Sequence, residues 1–252
     1  MTQSDCAQAA SVFDRLSQSY DRFNENPQVR RFRDAIYKMI DPWLSPDASV
    51  LDFGCGPGSD FPFWLDRGLS VDAYDISPQM VDVAKSKLPV DCKINVRLGS
   101  LDELEGPYDV ILANFGVWNA LPSDLDVHQQ MRQHLNPGGV LIVVVMPPLH
   151  LMSAFSQLLS GDWSALWRRL HHREAVTSDG WLFSYVSRSS FAPSWQVIDS
   201  RSLGPLLSTP AQSERFLMAR FWNALIRPLD RLVSRVCWFG GDHLVLVLKN
   251  PN

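Results

Sequence analysis

The segment Val50-Leu51-Asp52-Phe53-Gly54-Cys55-Gly56-Pro57-Gly58 constrains this chain more than any other. Val50 to Phe53 is an apolar run of strand length, the pattern of a strand buried in a parallel sheet. Glycines at alternate positions 54, 56 and 58 follow, and an apolar helical stretch starts at Phe61. Without a Cβ, glycine lets the chain turn sharply and lets a ligand lie against bare backbone. One glycine is enough for a plain turn; three in this spacing point to a loop shaped around a ligand.

The rest of the chain repeats the rhythm. Phe13, Leu16, Tyr20 and Phe23 predict an amphipathic helix over Ser11 to Asn24, and Val29, Phe32, Ile36 and Ile40 predict a second from Pro27 to Ile40. After the first strand and a helix to Arg67 come a strand from Leu69 to Tyr74 and a helix from Pro78 to about Lys87, with Ser77 as N-cap. Strands over Lys93–Leu98, Tyr108–Ala113 and Val140–Met146 follow, the last preceded by a helix over Asp124–Leu135 and the turn Asn136-Pro137-Gly138-Gly139. Alternating strands and helices with short links imply a doubly wound, mostly parallel α/β sheet, which binds ligands at the carboxyl ends of its strands. Pro147-Pro148 interrupts the pattern. Strands over Trp195–Leu203 and His243–Leu248 remain, separated by helical patterns over Ser213–Leu225 and Leu229–Trp238.

Composition excludes several function classes. The net charge is −4 over 252 residues, which argues against a sequence-independent grip on nucleic acid. The basic cluster Arg30-Arg31-Phe32-Arg33 reads as a solvated helix face that could also meet an anionic group. Cys6, Cys55, Cys92 and Cys237 are scattered, without zinc spacing or a disulfide framework, so no metal is expected and a reducing cytoplasm fits. The first residues hold no apolar signal core, and no apolar run approaches the ~20 residues that span a bilayer.

The second landmark is Asp75, at the end of the second strand and 21 positions beyond Gly54. A carboxylate there can accept hydrogen bonds from both hydroxyls of a ribose. A dinucleotide loop would place its third glycine at position 59, where this chain has Ser59.

Taken with these positions, the chain resembles the class I S-adenosylmethionine (SAM) dependent methyltransferases, in particular bacterial small-molecule members, over roughly Phe13 to Met146. Val50 to Gly58 is similar to the family's motif I, Asp75-Ile76-Ser77-Pro78-Gln79-Met80 to its acidic-I-S-P-x-M segment, and Leu135 to Gly139 to its L-x-P-G-G turn. The resemblance implies a Rossmann-like, seven-stranded, mostly parallel sheet with an antiparallel last strand. It implies an N-terminal helical lid over residues 1–45, in which Ser19-Tyr20-Asp21 matches a lid element. A SAM-binding domain would span 46–252, with lid or substrate insertions at about 147–190 and 205–240. SAM is the implied cofactor, held by Asp52, Gly54, Cys55, Gly56, Gly58, Asp75, Ile76, Met80, Ser100, Leu101, Asn114 and Phe115. Asp52 would bond the loop or the methionyl ammonium, Asp75 the ribose, and Ile76 would cover the adenine. Ser100 stands where many members have an aspartate for the adenine amino group; Asp102 is the substitute.

On the acceptor side, Asn114-Phe115-Gly116-Val117-Trp118-Asn119 is not the [DN]-P-P-[YF] of base-amino methyltransferases, which argues against DNA or RNA substrates. Tyr20, Trp118 and Asn119 are the candidate acceptor contacts. A methyl transfer to oxygen or nitrogen can need a base, and His150 and Tyr20 are the candidates. His128 and His134 read as structural, and Trp163, Trp167 and Trp181 as packing residues of inserted segments. The leading function is methylation of an O or N atom of a small organic molecule, as in secondary metabolism, by a monomer or homodimer. Competing functions are an enzyme that consumes SAM itself, releasing methylthioadenosine, a non-catalytic SAM-binding subunit, and an NAD-dependent oxidoreductase.

Overall fold

The computed structural model describes residues 3–121, 126–161, 163–172, 174–176, 182–237 and 240–250. Helices α1 (Gln3–Glu25) and α2 (Pro27–Ile40) lead into β1 (Ser49–Phe53), α3 (Phe61–Arg67), β2 (Ser70–Asp75), α4 (Pro78–Ser86), β3 (Ile94–Leu98), β4 (Tyr108–Ala113), α5 (Val127–Gln133) and β5 (Leu135–Val145). Then come α6 (Leu151–Ser160), α7 (Trp163–Trp167), the hairpin β6 (Glu174–Val176) and β7 (Leu182–Ser184), β8 (Gln196–Leu203), α8 (Pro210–Arg215), α9 (Leu217–Val236) and β9 (His243–Lys249).

One sheet holds seven strands in the order β3-β2-β1-β4-β5-β9-β8. β1 to β5 are parallel, and β9 runs against both of its neighbours. The mostly parallel sheet with an antiparallel last strand expected from the sequence is present; β8, antiparallel to β9, points the same way as β5. Alternate residues of each strand feed two cores. Val50, Val110, Leu112, Ile142 and Val144 meet Ile36 and Ile40 of α2 and Trp64 of α3. Leu51, Ile111, Leu141 and Val143 meet Val127 and Met131 of α5 with Phe191 and Trp195. Burial on both faces is why these strands read as continuous apolar runs.

Local signals place the helices that frame the site. Asn26 caps α2, its Oδ1 accepting from Gln28 N at 2.8 Å, and Pro27 takes the first helical position. Ser77 caps α4 through Met80 N at 3.1 Å, ahead of Pro78.

Several boundaries differ from expectation. α1 starts at Gln3, ahead of Ser11. β5 starts at Leu135 rather than Val140, because Asn136 to Gly139 form an irregularity in the ladder: Tyr108 pairs with Leu135 and Val110 with Val140. A Cβ at Gly139 would stand 2.9 Å from Asp109 O and 3.1 Å from Tyr108 O, so the close strand approach requires glycine. The helix expected over Asp124–Leu135 runs from Val127 to Gln133, capped by Asp126; Asp124 lies outside the described residues.

The insertion at 147–190 contains the β6–β7 hairpin as well as helices. The two helices expected on either side of Pro228 are one, α9. Proline costs an interior helix one hydrogen bond. Here Asn223 and Asp230, flanking it, anchor the helix by accepting from Ser208 N (2.8 Å) and Leu206 N (2.9 Å). Trp181 and Trp238 lie outside the described residues.

Candidate functional site

The carboxyl ends of β1, β2 and β4, roofed by α1, enclose a cleft of about 800 Å3, its solvent-open part included. Its wall contains Gly54, Gly56, Asp75, Ile76, Met80, Ser100, Leu101 and Phe115 from the predicted cofactor set, and Tyr20 from the predicted acceptor set. Phe13, Phe53, Tyr74, Gly99, Gly116, Val117, Ala120 and Leu121 complete it.

Asp75 organises this wall. It is buried, and its carboxylate accepts from Gly56 N at 2.8 Å and from Ser77 N at 2.9 Å. It therefore ties the glycine loop to the start of α4. Burial raises its pKa, and the backbone donors pull it back down. The loop glycines play different parts. Gly54 has φ +71°, and a Cβ there would fall 2.5 Å and 2.7 Å from the Val117 methyls. Gly56 has φ +54°, and a Cβ there would meet nothing within 4 Å. The space beside Gly56 is a cradle that a side chain would fill.

Four predicted cofactor residues lie behind this surface. Asp52 is buried, and its Oδ2 accepts from Trp64 Nε1 at 3.0 Å. Burial and the Asp60 carboxylate push its pKa up. Its Oδ1 is buried without a partner among the described residues. Cys55 is buried, its thiol pushed up by burial and by Asp52, so it is unreactive. Gly58 packs on Phe61, whose ring leaves a Cβ only 2.5 Å. Asn114 Nδ2 donates to Asp60 Oδ2 at 2.9 Å, and its Oδ1 accepts from Phe115 N at 2.9 Å. Ser100 caps a short turn with Glu103, its amide donating to Glu103 Oε2 at 2.7 Å. Asp102 faces Gln130 instead, at 3.4 Å.

A polar network behind the cleft was not anticipated from the sequence. Arg33 and Asp60, 8% and 4% exposed, form a buried ion pair. Tyr37 donates to Asp60 Oδ1 at 2.6 Å, Arg33 Nη2 donates to Asn24 Oδ1 at 3.0 Å, and Asn24 Nδ2 donates to Ser59 Oγ at 2.6 Å. Arg33 also lies 4.5 Å over the Phe115 ring, and its Nε is buried without a partner among the described residues. The network ties α1 and α2 to the glycine loop. Removing either charge would strand the other, at a cost of about 3–5 kcal/mol. The spacing of Val29, Arg33, Ile36 and Ile40, all on one helix face, was the available signal; the neighbouring arginines obscured it.

The predicted acceptor and base residues are held elsewhere, except Tyr20. Trp118 packs in the core against His128 and Phe191, at 5.2 Å from each ring. Asn119 is fully buried and splints three segments: its Nδ2 donates to Met146 O (3.0 Å) and Ser184 O (2.6 Å), and its Oδ1 accepts from Met146 N (2.8 Å). His150 is 1% exposed; Nε2 meets Leu207 O at 2.9 Å and Nδ1 meets Ser153 Oγ at 2.7 Å. The carbonyl only accepts, so Nε2 carries the proton and Nδ1 accepts from the serine. Burial lowers the pKa of His150. This histidine is a structural pin and does not line the cleft. His128, expected to be structural, accepts from Trp195 Nε1 at 2.9 Å. Among the described residues no cluster of His, Cys, Asp and Glu has metal-holding geometry.

The family model described as a methyltransferase domain matches residues 51–141, from the first motif strand to the middle of β5. Over those residues the chain is similar to methyltransferases. It is 32% identical over 133 residues to the malonyl-[acyl-carrier protein] O-methyltransferase of Enterobacter lignolyticus, covering 52% of this chain and 51% of that protein. It is 34% identical over 153 residues to the trans-aconitate 2-methyltransferase of Rhizobium etli, covering 58% and 57% respectively. The chain thus spans about half the length of the curated relatives it matches. In structure it resembles the 1,6-didemethyltoxoflavin-N1-methyltransferase of Burkholderia thailandensis, solved with S-adenosylhomocysteine (TM-score 0.64, 15% identity, 100% of this chain and 91% of that one). The N-methyltransferase NodS of Bradyrhizobium japonicum, also solved with S-adenosylhomocysteine, shares the fold (TM-score 0.62, 11% identity, 96% and 98%). The matched segment contains the glycine loop, Asp75 and the β4 end of the cleft.

Proposed function

We propose that this chain is a SAM-dependent methyltransferase that methylates an oxygen or nitrogen of a small organic molecule, in a small-molecule pathway such as secondary metabolism. The observation that carries the reading is the placement of the buried Asp75 carboxylate in the cleft wall, braced by Gly56 and Ser77 beside a cradle open at Gly56. The residues present fit the cofactor. Asp75 suits a ribose diol, Ile76, Met80 and Leu101 offer apolar cover for a base, and Gly56 admits close backbone approach.

When bound, SAM would supply a methyl group on a sulfonium for transfer to the acceptor atom. This chain's part is to align the acceptor with that methyl group and to exclude water. α1 closes the cleft with Phe13 and Tyr20. Burial raises the Tyr20 pKa, so at neutral pH the phenol stays protonated and donates a hydrogen bond rather than accepting a proton. With His150 held elsewhere, the acceptor proton leaves to solvent or through the acceptor's own ionisation. Incubation with SAM and a panel of carboxylic, phenolic and amine acceptors tests the reading. Acceptor-dependent S-adenosylhomocysteine supports it, whereas methylthioadenosine as the sulfur product would replace it with chemistry on the other arm of SAM.

A further inference from the structure

Helix α9 carries its amphipathicity inside out. Its polar residues Asn223, Asp230 and Ser234 face the protein, where the first two hold the 206–208 segment. Met218, Phe221, Trp222, Leu225, Leu229, Leu232 and Val236 are all exposed, Met218 and Leu225 at 78% each. Their spacing of three or four residues places them on one outward stripe about 27 Å long. Apolar surface this continuous is rarely left uncovered in a soluble monomer. The outward face of α6 extends it: Leu151, Phe155, Leu158 and Leu159 are exposed as well. A bridge between Leu149 and Gly240 brings the start of α6 beside the end of α9.

The charge on α9 is one-sided. Arg220, Arg227, Arg231 and Arg235 line one flank of the stripe. The helix's single acid, Asp230, is buried and bonded to Leu206 N. None of the four arginines forms an ion pair among the described residues. Arg31 of α2 joins Arg220 and Arg227 in a polar cleft whose only acid, Glu214, accepts from Asn26 Nδ2 at 2.6 Å. Arg227 Nε is buried there without a partner among the described residues. This cationic band stands on a chain whose net charge is −4. A second copy bound through the same face would add another row of arginines and, from the same cleft, only the Glu214 carboxylate, already bonded to Asn26. An anionic lipid surface offers hydrocarbon to the stripe and phosphates to the flank.

We propose that α9 lies in the plane of a membrane surface rich in anionic phospholipid, with its apolar stripe at the acyl boundary and Arg31, Arg220, Arg227, Arg231 and Arg235 on headgroup phosphates. This is surface attachment: among the described residues no helix is long and apolar enough to cross a bilayer. Because β5 and β8 point the same way, α6 and α9 emerge at the sheet end that holds the cofactor cleft. The inference does not depend on the methyltransferase reading.

Vesicle flotation of the full chain tests it, with phosphatidylglycerol–phosphatidylcholine vesicles against phosphatidylcholine alone, at low and high salt. The chain is expected to float with the anionic vesicles at low salt only. The paired change Arg231→Gln and Arg235→Gln should lower partitioning about thirtyfold, from about a factor of five per cation. Leu225→Glu with Leu229→Glu should abolish it. All four side chains are exposed, so melting temperatures should stay at the parent value. Failure of the parent chain to bind anionic vesicles, equal binding to both vesicle types, or partitioning untouched by either variant would overturn the proposal. So would a dimer in sedimentation velocity that the leucine changes dissociate without any vesicle binding.

Discussion

Gly54 and Gly56 look alike in the sequence, yet the structure separates what each glycine does. An alanine methyl at Gly54 runs into Val117, whereas one at Gly56 runs into open space beside the cleft. Both substitutions incur left-handed strain of about 1–2 kcal/mol. Gly54→Ala should therefore lower the melting temperature well beyond that strain. Gly56→Ala should cost little more than it, but should weaken SAM binding at least tenfold by filling the cradle. Thermal melts and calorimetry on the two variants check this, and the reverse pattern would sink the assignment. The cleft-lining positions Gly54, Gly56 and Asp75 were legible because they sit at the end of strands whose direction the apolar runs already define. Trp118, Asn119 and His150 were not. Each also follows a strand, but whether a side chain there enters the cleft or the core depends on segments distant in sequence: Phe191 for Trp118, Ser184 for Asn119 and Leu207 for His150.

At the scale of elements, α1 is fastened to the sheet domain by a few polar contacts. Asp14 accepts from Ser77 Oγ and from Gln79 N, and Lys87 Nζ donates to Asp21 Oδ1 and to Pro57 O at 2.7 Å each. The Lys87–Asp21 pair is substantially exposed and is worth little. Asp14→Ala should thus release α1 more than Lys87→Met does. The expected readout is faster limited proteolysis within residues 3–25 for Asp14→Ala, suppressed by saturating SAM, since Phe13 and Tyr20 line the cleft. Equal protection of both variants without ligand would mean that apolar packing alone holds the helix. Element boundaries were readable where a cap marks them, as at Asn26-Pro27 and Ser77-Pro78. They failed at α9, one helix through Pro228 where two helical patterns were expected, anchored on either side of the proline by Asn223 and Asp230, and at β5, where a turn sequence is built into the strand.

For the molecule as a whole, acid sensitivity follows from the buried His150 and the half-buried His128. Burial lowers the pKa of His128 and of His150 from 6.5. The unfolded chain therefore takes up these protons first as pH falls. Their stabilisation is complete above about pH 6.5 and is lost as pH drops through the lowered folded values. Asp52 and Asp75, raised by burial, act in the opposite sense, so the histidine effect is read as a difference between variants. His150→Gln should cost about 1–3 kcal/mol at neutral pH, where buried hydrogen bonds are lost, and progressively less below pH 6.5. A cost that does not vary with pH would show that His150 does not titrate with folding. The central claim, that the cleft at Asp75 holds SAM, is tested most directly by calorimetric titration of the parent chain and Asp75→Ala with SAM, with NAD as control. The account predicts saturable SAM binding by the parent, no NAD binding, and at least tenfold weaker SAM binding by Asp75→Ala, for loss of hydrogen bonds worth about 1.5–3 kcal/mol. A folded parent chain that binds no SAM, or an Asp75→Ala chain that binds it equally well, would contradict it.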